Sequence, residues 1–108
     1  ILYTTTGGDP IGIEPISSIV PDRSSLSQNY PNPFNPVTNF EFRIADFGLA
    51  NLTIYDIEGR EIAVLVNEAL NPGTYKADWD ASNFSSGVYF YSLTSDKFTE
   101  TRKMLMVK

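Results

Sequence analysis

The residue types that most often do chemistry are nearly missing from this chain. It has no histidine and no cysteine, so no thiolate is available and no imidazole can activate one of its serines. The acid–base candidates that remain are carboxylates, and Asp78 and Asp80 are spaced to share one face of a strand. At a strand end such a pair is a solvated turn former more often than a catalyst. The run DWDASN offers Asp78, Asp80 and Asn83 as oxygen ligands, but it lacks the glycine and the closing glutamate of a calcium loop. A turn in which Asp80 and Asn83 satisfy backbone N–H groups accounts for it better. Trp79, Tyr75, Tyr89 and Tyr91 carry enough ring surface for a sugar-stacking platform, yet in a small β-domain such rings fill the core. The chain is therefore expected not to be an enzyme and to hold neither cofactor nor metal.

Charge narrows the partners. The net charge is −5, which argues against nucleic acid, and no apolar run approaches membrane-spanning length. From Lys97 onward the balance reverses, with Lys97, Arg102, Lys103 and Lys108 against Glu100 alone. Within that basic end lies KMLMVK, where Met104, Leu105, Met106 and Val107 are apolar on both faces of an expected strand. One reading is a last strand that fills a core gap with methionine. The other is an exposed edge that a second protein joins by strand addition. The residues alone leave both open.

A second unusual stretch is YPNPFNP, Tyr30 to Pro36. Pro31, Pro33 and Pro36 have no backbone N–H, so the segment cannot lie within a central strand. Each also biases the residue before it toward extended geometry. The expectation is a rigid entry to a folded body, pinned by Phe34 and by Tyr30.

The elements that position these residues follow from periodicity. Ile1 to Ser25 is broken by Pro10, Pro15 and Pro21, loosened by Gly7 and Gly8, and shows no sustained apolar period, so it reads as a linker. From residue 26 to 108 the period is two. NFEFRI alternates Phe40, Phe42 and Ile44 against polar residues, and LANLTIYD, REIAVLV, TYKADW, VYFYSLT and FTETRKMLMVK follow as strands. DIEGRE is a hairpin turn with Gly59 at a left-handed position, and NPG (Asn71 to Gly73) is a type II turn signal. No segment has a helical period with caps. Six or seven short strands with turns about every ten residues indicate an all-β antiparallel sandwich, with Tyr89 placed to act as a tyrosine corner. The chain does not begin with methionine and shows no signal peptide or lipidation box, and so reads as a piece of a longer protein.

In order and spacing, LSQNYPNPFNPVTNFEFRI, LTIYDIEGREIAVLV, NPGTYKADWDASNFSSGVYFYSL and the terminal KMLMVK resemble type A C-terminal sorting domains of the bacterial type IX secretion system, known also as Por secretion system sorting domains. The resemblance runs from Leu26 to Lys108. It implies an immunoglobulin-like sandwich of about seven strands at the end of a larger exported protein of a Bacteroidetes-like bacterium. It further implies that the domain takes a passenger, already in the periplasm, through an outer-membrane translocon to the surface or medium. A sortase-like protease then removes the domain, often with attachment of the passenger to lipopolysaccharide. By position, the family's proline-rich motif falls on Tyr30, Pro31, Asn32, Pro33, Phe34, Asn35 and Pro36. Its glycine–tyrosine motif falls on Gly87 and Tyr89, and its terminal motif on Lys103, Met104, Leu105, Met106, Val107 and Lys108. The terminal six are expected to be read by the translocon and the other nine to be structural. The competing reading is an accessory immunoglobulin-like module of a secreted enzyme, either carbohydrate-binding or a spacer.

Overall fold

Period-two alternation places one face of each main strand inside. In the computed structural model, which describes residues 13–95 and 98–108, β3 (Val37–Ile44) buries Thr38, Phe40, Phe42 and Ile44 and turns Glu41 and Arg43 to solvent. Likewise β4 (Gly48–Tyr55) buries Ala50, Leu52 and Ile54, β6 (Gly73–Asp80) buries Tyr75, Ala77 and Trp79, and β7 (Gly87–Ser95) buries Tyr89, Tyr91 and Leu93. With β1 (Ile13–Ser17), β2 (Ser25–Leu26), β5 (Glu61–Leu70) and β8 (Phe98–Met106), they form two four-stranded antiparallel sheets, ordered β1-β6-β3-β2 and β5-β4-β7-β8. Rings from opposite sheets meet in the core: Phe40 lies 4.6 Å from Tyr91 and Trp79 lies 5.6 Å from Tyr89, centroid to centroid. This is the all-β sandwich that the alternation required, with eight strands among the described residues where about seven were expected.

Of the stretch read as a linker, residues 1–12 lie outside the described residues. Ile13–Ser17 pairs with β6, with a register shift between Pro15 and Ser17. Its place is held by backbone pairing at a sheet edge, which imposes no apolar period and tolerates Pro15, so periodicity had nothing to detect. β5 also escapes strict alternation. Its register against β4 shifts twice, and the shift at Leu52/Thr53 brings Leu65 and Val66 inward in succession, while that at Ile54/Tyr55 falls at Ile62. Bulges of this kind twist an exposed edge away from further pairing.

Two glycines are required for different reasons. Gly59 has φ +86° in the β4–β5 hairpin, as expected. There the Asp56 carboxylate accepts from the N–H groups of Glu58 and Arg60, both at 2.9 Å. The Arg60 N–H foremost, helped by the guanidinium, holds this carboxyl below its usual range. Gly73 differs from the turn residue expected. It opens β6 with φ +156°, and a Cβ there would lie 2.5 Å from the Ser17 carbonyl oxygen, so it admits the end of β1.

Trp79 is 3% exposed and touches Phe34, Phe84 and Tyr89 with centroids at 5.9, 5.5 and 5.6 Å. Trp79→Ala is expected to destabilise the fold by about 3–5 kcal/mol, read as a fall in thermal midpoint; an unchanged midpoint would place the indole outside the core. Gly59→Ala should lose about 1–2 kcal/mol from backbone strain alone. Gly73→Ala should also detach β1 from β6, read by hydrogen exchange at Ile13–Ser17.

Candidate functional site

The two motifs singled out in sequence, seventy residues apart, form one surface. The link between β2 and β3 leaves the first sheet and crosses to the edge of the second. Its residues tie to both sheets. The Tyr30 N–H donates to the Asn39 carbonyl at 2.9 Å and the Asn39 N–H returns a bond to Tyr30 at 2.8 Å. Four residues on, the Phe34 N–H donates to the Leu105 carbonyl at 3.0 Å, and the Val107 N–H donates to the Phe34 carbonyl at 2.9 Å. Finally, the Ala81 N–H donates to the Pro36 carbonyl at 2.9 Å. A segment spanning two sheets has few ladder partners, and prolines need none for their nitrogens. Its three X–Pro bonds, before Pro31, Pro33 and Pro36, are cis.

The edge of β8 is therefore not open where one of the two readings had a second protein joining it. The Leu105 N–H donates to Asn32 Oδ1 at 3.1 Å, and Gln28 Nε2 donates to the Lys103 carbonyl at 2.9 Å. With the two Phe34 bonds, four outward backbone groups of the terminal run are already partnered. The same seam runs on to β2. Arg102 Nε donates to the Leu26 carbonyl at 2.7 Å, the Leu26 N–H donates to Glu100 Oε1 at 3.2 Å, and Arg102 pairs with Glu100 at 2.9 Å.

Side chains of the terminal motif divide by parity. Met104 and Met106 are buried and Lys103, Leu105 and Val107 are exposed, while Lys108, past the end of β8, breaks the alternation and is exposed too. The methionines fill the core, as one reading expected, and the opposite face of the strand is exposed. Lys108 is held at the surface, its N–H donating to Ser86 Oγ at 2.9 Å and its Nζ to the Ser82 carbonyl at 3.0 Å. Gly87 opens β7 opposite Met106. Tyr89 is buried and donates to the Ser85 carbonyl at 2.6 Å, four residues back, as a tyrosine corner does. Phe34 is 1% exposed and pins the motif as expected. Tyr30 does not: its ring is 77% exposed, because its backbone, joined to Asn39, leaves the side chain on the outer face of the sheet.

The platform aromatics Trp79, Tyr75, Tyr89 and Tyr91 all lie in the core. Asp78 and Asp80 share the solvent face of β6. Asp80 accepts from the Ser82 hydroxyl and from the Ser82 N–H at 2.9 Å, and these bonds, the hydroxyl's foremost, hold its carboxyl below its usual range. Among the described residues, no group of acidic side chains is arranged to hold a metal ion.

The motif's fastening was missed in sequence. Asn29, 2% exposed, donates through Nδ2 to Thr38 Oγ1 at 3.0 Å and to the Pro31 carbonyl at 3.1 Å. Thr38 Oγ1 donates to the same carbonyl at 2.9 Å. The Asn29 N–H donates to the Tyr91 hydroxyl at 2.7 Å, which donates to the Ser27 carbonyl at 2.8 Å. One signal was readable: Thr38 has the inward parity of Phe40 and Phe42, and a hydroxyl there must find a partner. Burial pushes the Tyr91 phenol up to about 12, against the opposing pull of the Asn29 N–H and Arg102.

Because the raised group is neutral below its pKa, its contribution is complete below pH 10, the ordinary tyrosine value, and is lost as pH rises toward about 12. Tyr91→Phe is expected to destabilise by about 1–3 kcal/mol near neutral pH, leaving the Asn29 N–H and Ser27 carbonyl without their partner. Its stability should then fall less steeply than the parent's over that alkaline range. Chemical denaturation at stepped pH would check both; equal slopes would show that Tyr91 does not titrate with unfolding.

No curated protein sequence matches the chain. A family match does extend over residues 28–108, to secretion system C-terminal sorting domains. It takes in the Asn29 fastening, the proline-rich crossing, the tyrosine corner and the terminal strand. The chain belongs to the family of secretion system C-terminal sorting domains, the sorting signals that mark proteins for type IX secretion to the cell surface or beyond.

Proposed function

We propose that this chain delivers a preceding passenger from the periplasm to the outer-membrane translocon of the type IX system, with Lys103 to Lys108 as the recognised element. A sortase-like protease then removes the domain. The domain performs no catalysis of its own. One observation carries this reading: the proline-rich crossing is bonded to the terminal run through Phe34, Asn32 and Gln28. The body thereby presents the last residues in a fixed conformation, which a receptor can bind without ordering them first. Lys103 and Lys108 add positive charge to an otherwise acidic chain and steer it toward an acidic receptor.

The test is to append the 108-residue chain to a periplasmic reporter in a host with this secretion system and to locate the reporter. Surface or extracellular reporter is expected; a reporter that stays in the periplasm would refute the reading. Deleting Lys103–Lys108 should trap it, but the deletion also removes Met104 and Met106 from the core. Lys103→Gln with Lys108→Gln is the milder change. It should alter stability by no more than about 1 kcal/mol, since exposed charges contribute little, while lowering surface delivery. Export at the parental level would remove charge from the recognition.

A further inference from the structure

We infer that a receptor meets the terminal strand on its side-chain face and not along its backbone edge, and that the receptor is a protein with a flat apolar patch bordered by carboxylates; this rests on the sorting reading above. Strand addition needs free N–H and C=O groups. On the terminal run the Lys103 carbonyl, both Leu105 groups and the Val107 N–H are already bonded to Gln28, Asn32 and Phe34. Met104 and Met106 point into the core. What remains to be read is the opposite parity, on the outer face of the second sheet.

That face is organised in rows by strand register. Val88 lies opposite Leu105; Tyr55 lies opposite Phe90, which lies opposite Lys103. Leu105 and Val107 are 39% and 47% exposed, and Val88, Phe90 and Tyr55 are half-buried. Singly exposed apolar residues are ordinary, but a contiguous apolar group spread over three strands marks a contact surface. The group has a border. The next row is Thr53, Ser92 and Thr101, with the Thr101 hydroxyl donating to Ser92 Oγ at 3.1 Å.

Charge identifies the occupant. Lys103 closes the Tyr55–Phe90 row at its β8 end, beside Leu105, and makes no ion pair among the described residues, while Glu61 closes the far end of the row on β5. Arg102, next to Lys103 in the chain, is engaged by Glu100 and the Leu26 carbonyl. A cation beside apolar and aromatic side chains favours a carboxylate on an otherwise apolar partner.

The experiment compares two variants of the full chain on the same reporter. Leu105→Ser with Phe90→Thr alters the face. Gln28→Ala with Asn32→Ala removes two bonds that seal the edge. The face variant is expected to lose about tenfold in surface delivery, equivalent to one decade of affinity, and the edge variant to lose much less, because the two Phe34 backbone bonds still hold the terminal run in place. The reverse pattern would overturn the inference. Should the face variant fail a thermal-melt check, photo-crosslinkers at Val107 and at Asn32 of otherwise parental chain decide instead. Receptor crosslinks from Val107 support the face, and crosslinks from Asn32 alone support the edge. Lys103→Glu should be delivered poorly; parental delivery would overturn the carboxylate partner. If the unaltered chain is not exported, the sorting reading fails; if it is exported together with a folded face variant, only the face inference fails. Sedimentation showing a dimer that Leu105→Ser dissociates would assign the face to a second copy of this chain and overturn the receptor.

Discussion

The structure depends on one constraint: the strand that carries the terminal motif lies at the edge of a sheet, and its outward backbone groups must be satisfied. Among the described residues no ninth strand does this. The crossing from β2 to β3 supplies the Phe34 backbone, the Asn32 side-chain oxygen Oδ1 and the Gln28 side-chain amide. The crossing is suited to the task because proline removes donors where no ladder can accept them. Only a few N–H groups then need partners, and those at Tyr30 and Phe34 find one in each sheet. A segment that is poor as a strand is thereby suited to sealing one.

The seal is held from below by packing and by buried polar bonds. Phe34 meets Trp79, and Trp79 meets both Phe84 and Tyr89. The ring that anchors the motif therefore belongs to the same cluster as the tyrosine corner before the final hairpin. On the other flank Asn29, Thr38 and Tyr91 fix the Ser27–Pro31 backbone from within the core. In a low-dielectric interior such bonds are costly to leave unmade, which gives the crossing one conformation. In the proposed sorting role, function follows from that rigidity. The terminal residues are offered on a folded body as a surface of fixed shape, with the methionines inward and Lys103, Leu105 and Val107 outward.

The same organisation accounts for the aromatic residues. A small sandwich has little interior, and burying large rings is the most efficient way to fill it. Trp79 and the tyrosines at 75, 89 and 91 are taken up in that way. Among the described residues the exposed aromatics, Tyr30 and Phe47, lie in or beside loops, and the half-buried Tyr55 and Phe90 sit directly opposite each other on the outer face of the second sheet.

Much of the fold was determined by sequence alone, because period-two burial is a local property. Phe40, Phe42, Ile44, Tyr75, Ala77 and Trp79 could alternate inward only in a half-buried strand, and Gly59 could serve the hairpin because only local φ was at issue. The absence of histidine and cysteine was likewise legible without a structure. Other features depend on partners distant in the chain. Ile13–Ser17 is a strand because β6 accepts it, and Gly73 is a glycine because Ser17 arrives there. Tyr30 and Phe34 look equivalent in sequence, yet one lies outside and the other inside, since each is bonded to a different sheet. Above all, KMLMVK reads as an unprotected edge until the proline-rich crossing is placed against it. The backbone bonds that close the edge join residues about seventy positions apart, and no local pattern of side chains encodes them; tertiary packing decides which face of the terminal strand is left exposed.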